Sequence, residues 1–310
     1  MGSPEFAVPC LRALAAAHEV VLVVSQPDKP AGRGAQVTSP AVKLAAQELG
    51  LPVIQPRSAR TGELRDALVA SGAELAVVVA YGKILPPDVL EAVPRGCLNV
   101  HASILPSYRG AAPVQWAVIH GDRETGVTIM QLDEGMDTGP VILERRVAID
   151  PDETSGELLA RLAPLGAAAL LEAVELLAAG RATPRPQDGA SATHAPMLDK
   201  VDGMIDFTQP AAVVAARIRG VDPWPGAQAG LRGQIVKLFR ARPEPGAGGP
   251  PGTVLAVDAG GLHVACGDGA VVIREIQAPG RKRLTAAQFA AGRGVAVGDV
   301  LASPAIAVAG

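Results

Sequence analysis

Residues 19–25 read EVVLVVS, an unbroken run of valine and leucine between a glutamate and a serine. A run this short and this rich in β-branched side chains reads as a strand buried on both faces. On its N-terminal side residues 11–17 repeat apolar positions at helical spacing, and on its C-terminal side so do residues 41–49 and 62–70. Further strand-like runs follow at 74–80 (ELAVVVA), 97–102 and 125–132. This alternation predicts parallel strands joined by right-handed helical crossovers, hence an α/β fold with a mostly parallel sheet. With only four Phe, two Trp and two Tyr in 310 residues, the core has to be built from small and branched aliphatic side chains, which suits such a sheet.

A chain of this length favours two domains. Thr154, Ser155, Gly156 and Glu157 form a capping-box pattern that predicts a long helix running toward Gly180, kinked or divided by Pro164. Residues 181–196 are rich in Pro, Ala, Ser and Thr without periodicity and read as an interdomain linker ending near Gly203. The expected division is a domain over 1–187, a linker over 188–203 and a second domain over 204–310. After a helical piece at 213–219, short strands at 234–240, 253–257, 261–265 and 270–276 predict a small antiparallel barrel. The Pro/Gly-rich loop at 243–252 carries no sign of chemistry.

The net charge of -3 hides a division: residues 1–205 hold 17 Lys and Arg against 24 Asp and Glu, and residues 206–310 hold 11 against 7. The basic C-terminal third points to a polyanionic partner. Cys10, Cys97 and Cys266 are dispersed, so neither a disulfide framework nor a zinc site is expected. No run approaches membrane-spanning length and no basic-then-apolar leader opens the chain, so a cytoplasmic protein is expected.

The stretch most suggestive of chemistry is 98–113, LNVHASILPSYRGAAP. Asn99 and His101 lie two apart on a strand and therefore face the same way, at the C-terminal end where open α/β sheets bind ligands. Residues 133–139, DEGMDTG, follow the strand at 125–132, and their two glycines permit a tight loop that could bring Asp137 toward His101. Singly, each of these has an ordinary structural reading; together they supply an amide, an imidazole and a carboxylate. That set suits attack of an amine on a formyl carbon, with Asn99 donating to the developing oxyanion, His101 carrying the proton and Asp137 orienting the ring. No metal is needed.

The runs NVHASILPSYRGAAP (99–113), GVTIMQLDEGMDTG (126–139) and IDFTQPAAVVAARIRGVDPWPGA (205–227) resemble the methionyl-tRNA formyltransferase family along nearly the whole chain. The pattern SxLPxxRGxxP is specific to the wider group of formyltetrahydrofolate-using enzymes. The resemblance implies a Rossmann-like formyltransferase domain followed by an OB-type barrel that contacts tRNA. It implies catalytic roles for Asn99, His101 and Asp137, and a folate site lined by Ser103, Ile104, Leu105 and Pro106. The formyl donor would be 10-formyltetrahydrofolate and the acceptor initiator methionyl-tRNA, handled by a monomer. Residues 26–34, QPDKPAGRG, resemble the loop with which the family engages the tRNA acceptor arm, where Lys29 and Arg33 would meet sugar and phosphate. Arg281, Lys282 and Arg283 form the densest basic cluster and are a candidate phosphate contact, a solvated turn being the alternative. Trp224 reads as a packing anchor.

One departure stands out. The family usually begins with an apolar strand leading into a G-[ST]-P-[DE]-F turn, whereas GSPEF here follows Met1 directly. The resemblance then implies a missing central strand, with unpaired backbone and an apolar gap in its place, and a true start several codons upstream or a truncation. Two competing functions also remain at this point. One is formyl transfer to glycinamide ribonucleotide or hydrolysis of formyltetrahydrofolate, which leaves the basic barrel and the 26–34 loop without a role. The other is an RNA-binding protein without catalysis.

Overall fold

In the computed structural model, which describes residues 1–31, 36–246 and 248–303, the valine run at 19–25 forms a regular strand only at Val23–Val24. It pairs in parallel with Val53–Ile54. The run at 74–80 does so only at Ala76–Val78, in parallel with Cys97–His101. Among the described residues, Met1 and Gly2 stand between these two pairs. The Gly2 N–H donates to the Val24 carbonyl (2.9 Å), the Val79 N–H donates to the Met1 carbonyl (2.9 Å), and the Met1 ammonium donates to the Val77 carbonyl (2.6 Å). A strand needs partners as well as the right side chains, so the rest of each valine run stays outside the ladder. The slot beside it is a cavity of about 440 Å³ lined by side chains such as Leu11, Leu14, Val21, Leu75 and Val77. Burial pushes the Met1 ammonium down to about 6.

The expected parallel order breaks at the next strand. Glu124–Gln131 runs antiparallel to Cys97–His101, with His101 opposite Thr128, and Val141–Ala148 follows it at the sheet's edge. A helix, Pro113–His120, does precede Glu124–Gln131, but an intervening helix does not oblige the chain to re-enter the sheet from the same end. The helices Val8–Ala17, Ala41–Glu48 and Glu63–Ser71 form close to where periodicity placed them.

The capping box at the head of the long helix is present: the Thr154 N–H donates to the Glu157 carboxylate (3.0 Å) and the Glu157 N–H to Thr154 Oγ1 (3.3 Å). Pro164 does not divide this helix, which runs unbroken over Ser155–Ala178. Leu162, Ala163, Ala167, Leu170 and Ala173 are buried along it, and their packing on both sides of the proline offsets the lost backbone bond. Among the described residues no helix is long and apolar enough to cross a membrane.

The chain forms two compact units that are not contiguous in sequence. The first comprises Met1–Pro113, Thr125–Val147 and Leu159–Pro196; the second comprises Val114–Glu124, Ala148–Leu158 and Met197–Gly310. Residues 181–196, read from composition as linker, thus pack with the first unit. In the second unit the antiparallel strands Val254–Val257, Leu262–Ala265, Ala270–Gln277, Gln234–Glu244, Ala227–Leu231 and Leu301–Ala302 lie side by side in that order. The sheet curls until Thr253 at one edge bridges Val300 beside the other, a curled half-barrel where a small antiparallel barrel was expected of residues 204–310. The helix Ala211–Gly220 packs on Gln234–Glu244. The strand Ala227–Leu231 and the short helix Ala286–Ala291 were not foreseen. The three cysteines are buried and free.

Candidate active site

Asn99 and His101 are buried on the strand Cys97–His101, 8% and 6% exposed. Both sit on one face because strand side chains alternate. The His101 Nε2 lies 2.8 Å from the Tyr108 carbonyl. A carbonyl only accepts, so Nε2 carries a hydrogen, which leaves Nδ1 as the nitrogen with an open lone pair in the neutral ring. Nδ1 faces Asp137 Oδ2 at 3.6 Å. Two lone pairs oppose each other across that space until a proton enters it, when the contact becomes a charge-assisted bond. No side chain or backbone group among the described residues hydrogen-bonds the Asn99 amide, which leaves its N–H groups for an incoming oxygen.

Asp137 arrives from a loop closed on itself. The Asp133 carboxylate accepts from the Gly135 N–H (3.1 Å) and the Thr138 hydroxyl (2.7 Å), an Asx-type turn that reverses the chain after Glu124–Gln131. The backbone of Asp137 is left-handed, φ 54°. Its Oδ2 accepts from the Gly110 N–H at 2.8 Å. Gly110 has φ 121°, and a Cβ there would come within 2.7 Å of the Ala195 carbonyl oxygen, so this close approach requires glycine.

The loop between the histidine and Gly110 is fixed from below. Thr128 Oγ1 donates to the Ser103 carbonyl (2.7 Å) and accepts from the Leu105 N–H (3.1 Å), and Ser103 Oγ donates to the Ser107 carbonyl (2.6 Å). Of the four residues expected to line the folate site, Ser103 and Leu105 are interior, the latter packed with Met130 and Val141. Ile104 and Pro106 keep part of their surface open. The turn is therefore anchored by one pair and presents the other.

Two residues that sequence reasoning missed complete the arrangement. Gln187 hydrogen-bonds both Arg109 and the carbonyls of Asp137 and Gly139, and Thr193 holds Tyr108 and Arg109. Nothing local in PRPQDGASATHAP (184–196) signals this, because their partners are distant in sequence: several backbone groups and the Arg109 guanidinium.

Of the residues expected to meet tRNA, Lys29 is exposed on a hairpin whose arms are Lys29–Ala31 and Gln36–Thr38. Arg33 lies outside the described residues. Asp28 at the base of that hairpin holds Gln55 (2.8 Å) and Lys43 (2.6 Å), whose bonds lower its pKa below the usual carboxylate value. Arg281 and Lys282 are exposed on a turn. Arg283 instead pairs with Asp222 (3.2 Å) and Glu275 (2.9 Å) and stacks on the Phe239 ring (3.5 Å). Trp224 is 53% exposed, more than a packing anchor would be. Among the described residues no cluster of His, Cys, Asp and Glu has the makings of a metal site.

Residues 2–174 match the family model described as "Formyl transferase", and residues 197–294 match "Formyl transferase, C-terminal domain". The methionyl-tRNA formyltransferase of Desulfotalea psychrophila is 50% identical over 305 residues, covering 97% of this chain and 94% of that protein. That of Myxococcus xanthus is 47% identical over 299 residues, covering 96% of each. Among solved structures, HypX from Aquifex aeolicus in complex with tetrahydrofolic acid is 23% identical with a TM-score of 0.59, over 78% of this chain and 43% of that one. This chain thus spans less than half of HypX, and the likeness is one of fold.

Proposed function

This chain belongs to the methionyl-tRNA formyltransferase family, and from that premise we propose that Asn99, His101 and Asp137 act together on one carbonyl carbon. The enzyme transfers a formyl group from 10-formyltetrahydrofolate to the free amino group of methionine on initiator methionyl-tRNA, for translation initiation. A bond forms between the methionyl nitrogen and the formyl carbon, the bond from that carbon to the folate nitrogen breaks, and one proton passes from the amine to the departing nitrogen.

The chain's own groups divide this work. Asn99 donates to the formyl oxygen as negative charge grows on it. His101 Nδ1 takes the proton of the attacking amine and returns it to the folate nitrogen. Asp137 holds the ring while it is charged, so that the proton is not lost to solvent. Ile104 and Pro106 give the folate ring an apolar edge, with Ser103 and Leu105 holding that edge in place. The observation that carries the reading is the meeting of His101 Nδ1 and Asp137 Oδ2 at 3.6 Å beside Asn99.

We assign residues 1–187 to catalysis and 204–310 to the tRNA, a division supported by the two separate family matches. Lys29 and Arg33 meet the acceptor arm, and Arg281 and Lys282 supply phosphate contacts, with Arg283 orienting their turn. Every group named comes from one chain, so the reading requires only a monomer, working in the cytoplasm where charged tRNA is found.

The test supplies 10-formyltetrahydrofolate with, in turn, charged initiator tRNA, glycinamide ribonucleotide and water, and follows loss of the donor. Turnover only with the charged tRNA is expected. Turnover with the nucleotide alone would overturn the acceptor assignment, and none with any acceptor would leave a binding protein.

A further inference from the structure

We propose that Gln187 is a positioning residue of the active site, and that the segment carrying it, residues 185–195, sets the separation of Asp137 from His101. The inference rests on the reading that this pair moves the transferred proton. One carboxamide joins the two catalytic loops. Its Nε2 donates to the carbonyls of Asp137 (2.9 Å) and Gly139 (2.8 Å), and its Oε1 accepts from Nε (3.1 Å) and Nη2 (2.7 Å) of Arg109. Arginine offers no acceptor and a carbonyl no donor, so a single orientation of the amide satisfies all four contacts. Glutamate at this position lacks the donors, lysine the acceptor, and methionine both.

The segment is tied at each end to the loops it bridges. Arg185 and Val141 exchange both of their backbone hydrogen bonds at 2.8 Å, two residues beyond Gly139. At the other end the Tyr108 N–H donates to Thr193 Oγ1 (2.8 Å), the Arg109 N–H donates to the Thr193 carbonyl (2.9 Å), and His194–Ala195 pairs in parallel with Arg109–Gly110. All of these residues lie in the first compact unit.

The loops so held are those that set the proton-transfer pair. The Tyr108 carbonyl fixes His101 Nε2, and the Gly110 N–H fixes Asp137 Oδ2. Tyr108 (φ 62°) and Asp137 (φ 54°) are both left-handed without being glycine, a conformation that persists only where the surroundings over-determine it. Gln187 and Thr193 supply those surroundings. Truncating Gln187 releases the Asp137 peptide and lets its carboxylate drift from Nδ1.

The experiment measures formyl transfer at saturating substrates for Gln187→Ala and Gln187→Glu, alone and combined with Asp137→Ala, together with the KM of each substrate. Gln187→Glu keeps Arg109 as a partner and carries the test where Gln187→Ala does not fold. Each single change is expected to lower kcat about 10- to 100-fold, the scale of a misplaced catalytic group, with both KM values within about two-fold. In the Asp137→Ala background the same change should add less than about two-fold, because nothing is left to position. Equal losses in both backgrounds, or an unchanged kcat, overturn the proposal. An Asp137→Ala enzyme with undiminished kcat sinks the proton-transfer reading itself and this inference with it, so the two failures are told apart.

Discussion

Replacing Asp137 by asparagine separates the charge of this residue from its shape. The introduced amide oxygen can still accept from the Gly110 N–H, and the Gln187 bonds reach only the Asp137 backbone, so the loop should hold its course. What disappears is the attraction between a carboxylate and a charged imidazole 3.6 Å apart. At an effective dielectric of about 20 that attraction is about 4.6 kcal/mol. Asp137 is 16% exposed, and halving the figure for residual solvent screening leaves about 2.3 kcal/mol. If the ring is charged in the transition state, Asp137→Asn should lower kcat roughly 50- to 2,000-fold. The assay is single-turnover formylation of charged initiator tRNA with enzyme in excess, accompanied by a thermal melt that should move by less than about 2 °C. A rate within about five-fold of the unaltered enzyme, on a protein with an unchanged melt, would refute the argument that Asp137 stabilises the protonated ring.

Other perturbations test separate links. Gly110→Ala forces a Cβ to within 2.7 Å of the Ala195 carbonyl oxygen at φ 121°, so it should destabilise the protein by about 1–3 kcal/mol in denaturant unfolding and lower kcat as the shifted loop draws the N–H of residue 110 away from Asp137. The Met1 ammonium, held by burial at about 6 against 8.0, gives the unfolded chain the greater proton uptake between those values. Stability should therefore rise by roughly 2–3 kcal/mol as pH rises from 6 to 8, and this group should contribute no further change below 6 or above 8. Equilibrium unfolding across that range checks it, and acetylating the amine should abolish the slope. Arg281→Ala with Lys282→Ala should flatten the dependence of tRNA affinity on salt by about one to two units of log–log slope, leaving kcat at saturating tRNA unchanged.

Much of this molecule is written locally in its sequence, and the parts that are not have identifiable causes. The shared face of Asn99 and His101 and the approach of Asp137 to His101 were legible because strand side chains alternate and because glycines bracket Asp137, both local properties. The capping box at Thr154 was legible for the same reason. The valine runs at 19–25 and 74–80 promised longer strands than form, because pairing depends on a neighbour that the run itself cannot show. Ala227–Leu231 reads AQAGL, small residues with little strand character, and is a strand only because Gln234–Glu244 and Leu301–Ala302 pair on either side of it. The antiparallel return of Glu124–Gln131 was hidden by the helix before it. Gln187 and Thr193 were invisible among prolines and alanines, since what they bind, backbone groups and the Arg109 side chain, lies about 50 to 85 residues away. Arg283 read as a phosphate contact until Asp222, Glu275 and Phe239 were found around it.

The claim on which the account turns is that an amide, an imidazole and a carboxylate act as one unit on a single carbon. Single-turnover formyl transfer by Asn99→Ala, His101→Ala and the combination of both with Asp137→Ala measures this directly. Each of the two single changes should slow the chemical step by at least about 100-fold with tRNA and folate affinities preserved, and the combination should fall far short of the product of the separate losses. Losses confined to substrate affinity, with the rate of the bound complex intact, would contradict it.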